Sequence, residues 1–323
     1  MFNSLRQIFG RGYRWLKPHL RWLVPLVTLG FLAWALRQHW QQVWALQIRG
    51  LGWLWLGLGF LSTLAAFLWS GWLWGSLFGL LGYPIDRWWA ARLYLTTNIA
   101  KYLPSNVLHF YTRVTQTHAA GVPLGLATLV VGLEPFLMVA AGLLLILINL
   151  PGVSLPLQGL ALVLVLLGLH PRLLNPVLAR SLRKKSSGST PLQLKAYPLL
   201  PLLGEVVFVG LRAAGFILTL LALGSVPGPA VLPLVGAYSL GWLLGMVTPG
   251  APGGVGVVEL TVIQVLKQPQ YAHHLGTLPP AQIIAGVALY RLISTGAEAL
   301  SAGVGWWRRP HPNPPLGKGR GQE

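Results

Sequence analysis

Long apolar runs separated by short polar breaks cover most of this chain, and several runs have the length of a bilayer crossing. A crossing needs roughly 20 mostly apolar residues. The pattern predicts helical spans at about 22–36, 51–80, 124–150, 155–169, 199–223, 230–247 and 282–306. Trp53, Trp55, Trp69, Trp72 and Trp74 stand toward the two ends of the second run, as an aromatic belt does. Pro151-Gly152 and Val226-Pro227-Gly228-Pro229 mark tight turns between paired spans. Two stretches depart from this pattern. Residues 85–114 interleave Asp86, Arg87, Arg92, Lys101, His109 and Arg113 with aromatics, and read as interfacial or re-entrant. Residues 248–259 read Thr-Pro-Gly-Ala-Pro-Gly-Gly-Val-Gly-Val-Val-Glu inside an otherwise apolar stretch, too rich in glycine and proline for an unbroken helix.

A broken helix exposes backbone carbonyls and amides, which hydrocarbon tolerates only where protein or a watery cavity covers them. Membrane carriers tend to place binding sites at such interruptions. Residues 101–106, Lys-Tyr-Leu-Pro-Ser-Asn, form a second interruption in the first half. Counting about 250–266 as one crossing predicts an all-α polytopic membrane helix bundle of about eight passages over residues 1–307. Two of its segments are broken by Pro and Gly or are re-entrant. A basic tail rich in Pro and Gly follows at 308–323 and is expected to be disordered. Each half holds one hairpin of spans and one broken element, which suggests a distant internal repeat.

Composition strengthens the membrane reading. Hydrophobic residues make up 54% of the chain and charged ones 9%, against about 25% charged in soluble domains. The net charge of +18 does not form one continuous patch, so nucleic acid is not an expected partner. The basic residues gather between apolar runs, as the positive-inside rule and anionic headgroups require. Arg172, Arg180, Arg183, Lys184, Lys185 and Lys195 share one acid-free stretch and mark it as cytoplasmic, with both termini on the same side. The loop with Tyr271, His273 and His274 is then outside, as are Arg37 and Arg49, against the rule. The basic N-terminus precedes an apolar run without a small-residue cleavage site, and reads as a retained first span. With no cysteine, disulfides and thiolate metal sites are excluded.

Charges inside the apolar runs carry the candidate chemistry. Glu134, Glu205, Glu259, Glu298, Arg212 and Arg291 all fall mid-span. Each costs on the order of 3 kcal/mol at bilayer depth, so they must face inward, pair, or line a wet cavity. Glu205 and Arg212 are seven residues apart, as are Arg291 and Glu298. Two helical turns, about 10 Å along the axis, then put each pair on one face. Under the eight-pass topology both arginines lie near the midplane and both glutamates two turns toward the cytoplasm. Such a set either lines a polar interior able to hold a lipid phosphate, or forms interhelical ion pairs that fix the bundle. Lys101, His109 and Arg113 either contact headgroup phosphates or anchor the interface. The His273-His274 pair reads as a solvated loop, and Gly317-Lys318-Gly319-Arg320 is no P-loop, since no strand precedes it.

Asn98-Ile99-Ala100-Lys101-Tyr102-Leu103-Pro104-Ser105-Asn106, followed by Arg113, resembles a signature of the lysylphosphatidylglycerol synthase transmembrane (flippase-like) family. Glu134 matches the acid of the following span. Pro252-Gly253-Gly254-Val255-Gly256-Val257-Val258-Glu259 is similar to that family's second element, and Arg291 to the arginine of its last span. The resemblance runs from about residue 20 to 307. Ser105 stands where glycine is usual, and Val258 where the family often has arginine.

The resemblance implies translocation or presentation of lipids, with Asn98, Lys101, Tyr102, Pro104, Asn106, Arg113, Glu134, Gly253, Gly254, Gly256, Glu259 and Arg291 near the substrate. Arg212, a charge inside an apolar run, joins this set on its own account. The 16 residues after 307 leave no room for the aminoacyl-transfer domain of the full-length synthases, so no lysyl-lipid synthesis is expected of this chain. No nucleophile or metal constellation stands out, so neither an enzyme nor a cofactor is expected. No ATP-binding motif is present, so uphill movement would need an ion gradient or a partner. The alternative is a non-transporting accessory subunit, in the cell (inner) membrane, that positions a lipid-modifying or glycosyl-transferring enzyme.

Overall fold

The structure is a computed structural model that describes residues 48, 50–102, 108–149, 155–176, 194, 196–248 and 251–307. The predicted first span at 22–36, Pro104, Asn106, most of the basic 172–195 stretch and the tail from 308 lie outside the described residues, as does the side chain of Tyr102.

Among the described residues the fold is all-helical. The main helices are α1 (Gly52–Leu80), α2 (Arg87–Asn98), α3 (Leu108–Ala119), α4 (Leu124–Asn149), α5 (Leu155–Gly168), α6 (Leu199–Leu223), α7 (Val231–Val247), α8 (Val257–Leu266), α9 (Pro269–Leu275) and α10 (Pro280–Trp307). Gly52–Leu80, Leu124–Asn149, Leu199–Leu223, Gly228–Val247 and Pro280–Trp307 are each long and apolar enough to cross a membrane. The chain is thus a multi-pass membrane protein. The pattern-based boundaries agree with these five helices to within two residues. By contrast, α5 has 14 residues and α8 has 10. At 1.5 Å per residue they are about 21 and 15 Å long, well short of the roughly 30 Å hydrocarbon core. Tyr271, His273 and His274, expected in a loop, lie on the short helix α9.

Small residues let the long helices approach closely, which is how helices associate where lipid is as apolar as their side chains. Gly59 on α1 faces Gly215 and Thr219 on α6. Two bonds tie the same pair of helices: Ser62 Oγ to the Leu211 carbonyl at 2.8 Å, and Trp69 Nε1 to the Gly204 carbonyl at 2.8 Å. Gly71 and Gly75 admit α2, whose N-terminus is capped by Asp86 accepting from the Trp88 and Trp89 amides. Gly241 and Gly245 on α7 admit α8 in the same way. A Cβ on Gly245 would sit 2.8 Å from Val258 Cγ2 and 3.1 Å from Gly254 Cα. Gly245→Ala is therefore expected to cost about 1–3 kcal/mol through overpacking, read as a lower unfolding midpoint in detergent micelles.

The buried apolar side chains form two clusters. One joins α1, α2 and α4 to part of α6 and to Ala297 of α10, and the other joins α6–α10. Trp242 packs against both. The residues that carry charge converge where the two clusters meet.

Candidate functional site

The second broken segment is built by its glycines. Gly253, Gly254 and Gly256 have φ of 57°, 72° and 82°, a left-handed conformation that glycine adopts without steric cost. They turn the chain through a 3₁₀ turn at Pro252–Gly254 into α8. Glu259, the third residue of α8, folds back so that its Oε2 accepts from the Gly256 amide at 2.8 Å. This satisfies one of the helix's free N-terminal donors. From α10, Arg291 Nη2 donates to the Gly253 carbonyl at 2.6 Å, and its Nε lies 3.6 Å from Glu259 Oε1.

The first broken segment is held by the same helix. The 3₁₀ turn Ile99–Tyr102 ends α2 and carries Lys101. Lys101 Nζ lies 2.6 Å from Glu298 Oε1, and Asn98 Nδ2 donates to the same oxygen at 2.7 Å. Arg291 and Glu298 thus stand two turns apart on α10, each gripping one broken segment. They do not act as a pair with each other.

Arg113 on α3 is fully buried. Its Nη1 pairs with Glu134 Oε2 on α4 at 2.5 Å, its Nε donates to Thr97 Oγ1 at 3.3 Å, and its guanidinium lies 3.9 Å from the Tyr94 ring centroid. Glu134 precedes Pro135, which has no amide to continue the helix ladder at that point.

Arg212 on α6 is different. Among the described residues it makes no ion pair. Its Nη2 donates to Ser294 Oγ at 2.9 Å, its guanidinium sits 5.2 Å from the Phe67 ring centroid, and its Nε has no acceptor. Glu205 and Arg212, expected on one face about two turns apart, make no ion pair with each other. Glu205 is buried away from the other charges' cavity, and its Oε2 has no donor. Sequence spacing placed the two on one face of α6, but two turns of separation exceed side-chain pairing distance.

These groups surround one interior cavity of about 110 Å³. A single water needs about 10–15 Å³ of such volume, so there is room for several waters or a small polar group. Of the expected site residues, Asn98, Lys101, Arg113, Glu134, Arg212, Gly253, Glu259 and Arg291 line it. Gly254 and Gly256 shape the turn behind it without lining it. Lys101, Arg113, Arg212 and Arg291 face Glu134, Glu259 and Glu298, one more cation than acid. His109 also lines the wall. Burial, then the charges of Arg113 and Lys101, push its pKa down to about 2, so it adds no charge at physiological pH.

Sequence reasoning missed the uncharged part of the wall: Phe67, Tyr94, Tyr238, Tyr290 and Ser294. A signal for some of it was present. Val287, Tyr290, Arg291, Ser294 and Glu298 recur at three- and four-residue spacing, one stripe of a helix, and all five line the cavity.

Glu205→Gln is expected to change unfolding free energy by no more than about 1 kcal/mol, because it removes a buried carboxyl that has no ion-pair partner among the described residues. Chemical unfolding in micelles reads this; a loss of several kcal/mol would mean that Glu205 is paired.

No protein-family model matches the chain, and no curated protein matches it, so the cavity's lining and charges carry the functional reading.

Proposed function

We propose that this protein is a flippase-like carrier of the cell membrane that translocates or presents a phosphate-bearing lipid, a phospholipid or a lipid-linked sugar. The observation that carries the reading is the buried, charge-lined cavity between the two broken segments of an apolar bundle. Charges of this number are expensive in a membrane and mark polar pathways more often than packing. The net excess of one cation suits an anionic headgroup, while acyl chains remain in the bilayer. Both broken segments act as re-entrant elements in this reading, and the basic stretch about 172–195 faces the cytoplasm with both termini. The membrane lipids and their anionic headgroups are the partners. The protein does no covalent chemistry on them.

Leaflet exchange in reconstituted liposomes tests the reading. Fluorescent anionic, zwitterionic and sugar-linked lipids are placed in both leaflets, and a membrane-impermeant reductant bleaches the outer one. Carrier activity gives complete bleaching of at least one anionic class. Bleaching that stops at half for every lipid, with folded protein in the membrane, rejects it.

A further inference from the structure

Among the described residues, one of the four cavity cations is left to charge-match a ligand. Lys101 is engaged by Glu298, Arg113 by Glu134 and Arg291 by Glu259. Arg212 is 7% exposed, lines the cavity, makes no ion pair among the described residues and keeps an Nε–H without an acceptor. The carboxylate whose field reaches it is Glu298, already held by Lys101 and Asn98.

Around Arg212 the wall offers uncharged donors. Ser294 Oγ accepts from Arg212 Nη2, which leaves its own O–H able to donate. The hydroxyls of Tyr238 and Tyr290 lie beside the guanidinium, 3.5 Å from each other. All three residues are buried. One guanidinium and a set of hydroxyls neutralise one negative charge. A second negative charge would stay uncompensated among largely buried groups, which is costly.

We infer that the cavity selects a singly charged phosphodiester, bound at Arg212, Ser294 and the Tyr238–Tyr290 hydroxyls, and discriminates against doubly charged phosphomonoesters. Lys101 and Arg291 hold the two broken segments, Arg113 is paired with Glu134, and none of the three supplies the anion's counter-charge. The inference rests on the carrier reading for the source of the anion, a lipid headgroup. The same chemistry would also bind a free diester.

The test is ³¹P NMR line broadening with the purified full chain in neutral detergent at pH 8. Three probes separate the cases: dimethyl phosphate as a soluble monoanion, methyl phosphate as its dianion, and short-chain phosphatidylglycerol as a lipid monoanion. Both monoanions are expected to bind, or the lipid alone if acyl contacts are required. Methyl phosphate should bind at least tenfold more weakly than the bound monoanion. Removing a hydrogen bond to a charged group costs roughly tenfold or more. Arg212→Gln should therefore abolish binding. Ser294→Ala, a small change that keeps the guanidinium, should weaken it about tenfold and covers the case in which Arg212→Gln fails to fold. Methyl phosphate binding as tightly as the monoanions overturns the proposal. So does monoanion binding indifferent to Ser294→Ala and to a folded Arg212→Gln, or no binding by any probe. Arg212-dependent binding without leaflet exchange would reject the carrier reading alone. Leaflet exchange unaffected in folded Arg212→Gln would reject this assignment alone.

Discussion

Glu134→Gln is expected to destabilise the protein by about 3–5 kcal/mol, the range for removing one partner of a buried ion pair. Arg113 is the fully buried member of that pair, sealed by the faces of Tyr94 and Trp74 at 3.9 and 5.5 Å from the ring centroids. The rings favour a cation but cannot neutralise it. With Gln in its place an amide oxygen can still accept, and Thr97 Oγ1 still does, but the guanidinium has lost its counter-charge. Replacing both partners with apolar groups of similar shape, Arg113→Met with Glu134→Leu, should recover most of the loss. Unfolding free energies of wild type, Glu134→Gln and the double variant, measured by denaturant titration in one detergent, decide the matter. A Glu134→Gln protein as stable as wild type would mean that the pair contributes nothing to the bundle.

Glu298→Gln should have the second-largest effect, and through two links. The carboxylate holds the Lys101 ammonium at 2.6 Å and the Asn98 amide at 2.7 Å. Losing it leaves a cation at the end of α2 without its counter-charge. Because the Lys101 side chain keeps 18% exposure, water can screen part of that charge. The expected cost is about 2–4 kcal/mol, somewhat below that for Glu134. Lys101→Met in the same background should restore stability. It should not restore leaflet exchange, since the first broken segment would then be tethered to α10 by a neutral contact alone. Recovery of both stability and exchange in Lys101→Met/Glu298→Gln would show that the pair is only a structural tie.

The five long helices were legible because bilayer length and apolar continuity are both written in local sequence. The 199–223 span coincides with α6, and 282–306 falls within α10. The shorter runs at 155–169 and 250–266 were apolar enough to read as crossings, and their described helices of 14 and 10 residues do not by length alone establish a passage. The charged residues at the site were legible for a different reason: a charge inside an apolar run stands out at once. Their partners were not legible. Spacing put Arg291 and Glu298 on one face of a helix, but the groups they meet lie on other elements: Arg291 reaches α8 and Glu298 reaches the end of α2. Such pairings depend on which helices become neighbours. Tyr94, Tyr238 and Ser294 were passed over because a lone hydroxyl in an apolar helix resembles ordinary packing until the guanidinium beside it is known.

Lipid is proposed to pass through this cavity, and the absence of cysteine from the chain allows a direct test. Met138 lines the cavity on α4, one turn from Glu134. Leu164 on α5 is an exposed apolar residue outside the cavity. Met138→Cys and Leu164→Cys proteins are reconstituted, leaflet exchange is measured, and the same liposomes are treated with an anionic, water-soluble methanethiosulfonate. The expected result is that Met138→Cys is modified and exchange stops, while Leu164→Cys stays unmodified and exchange continues. Undiminished exchange after complete modification of Met138→Cys would contradict a lipid path through the cavity.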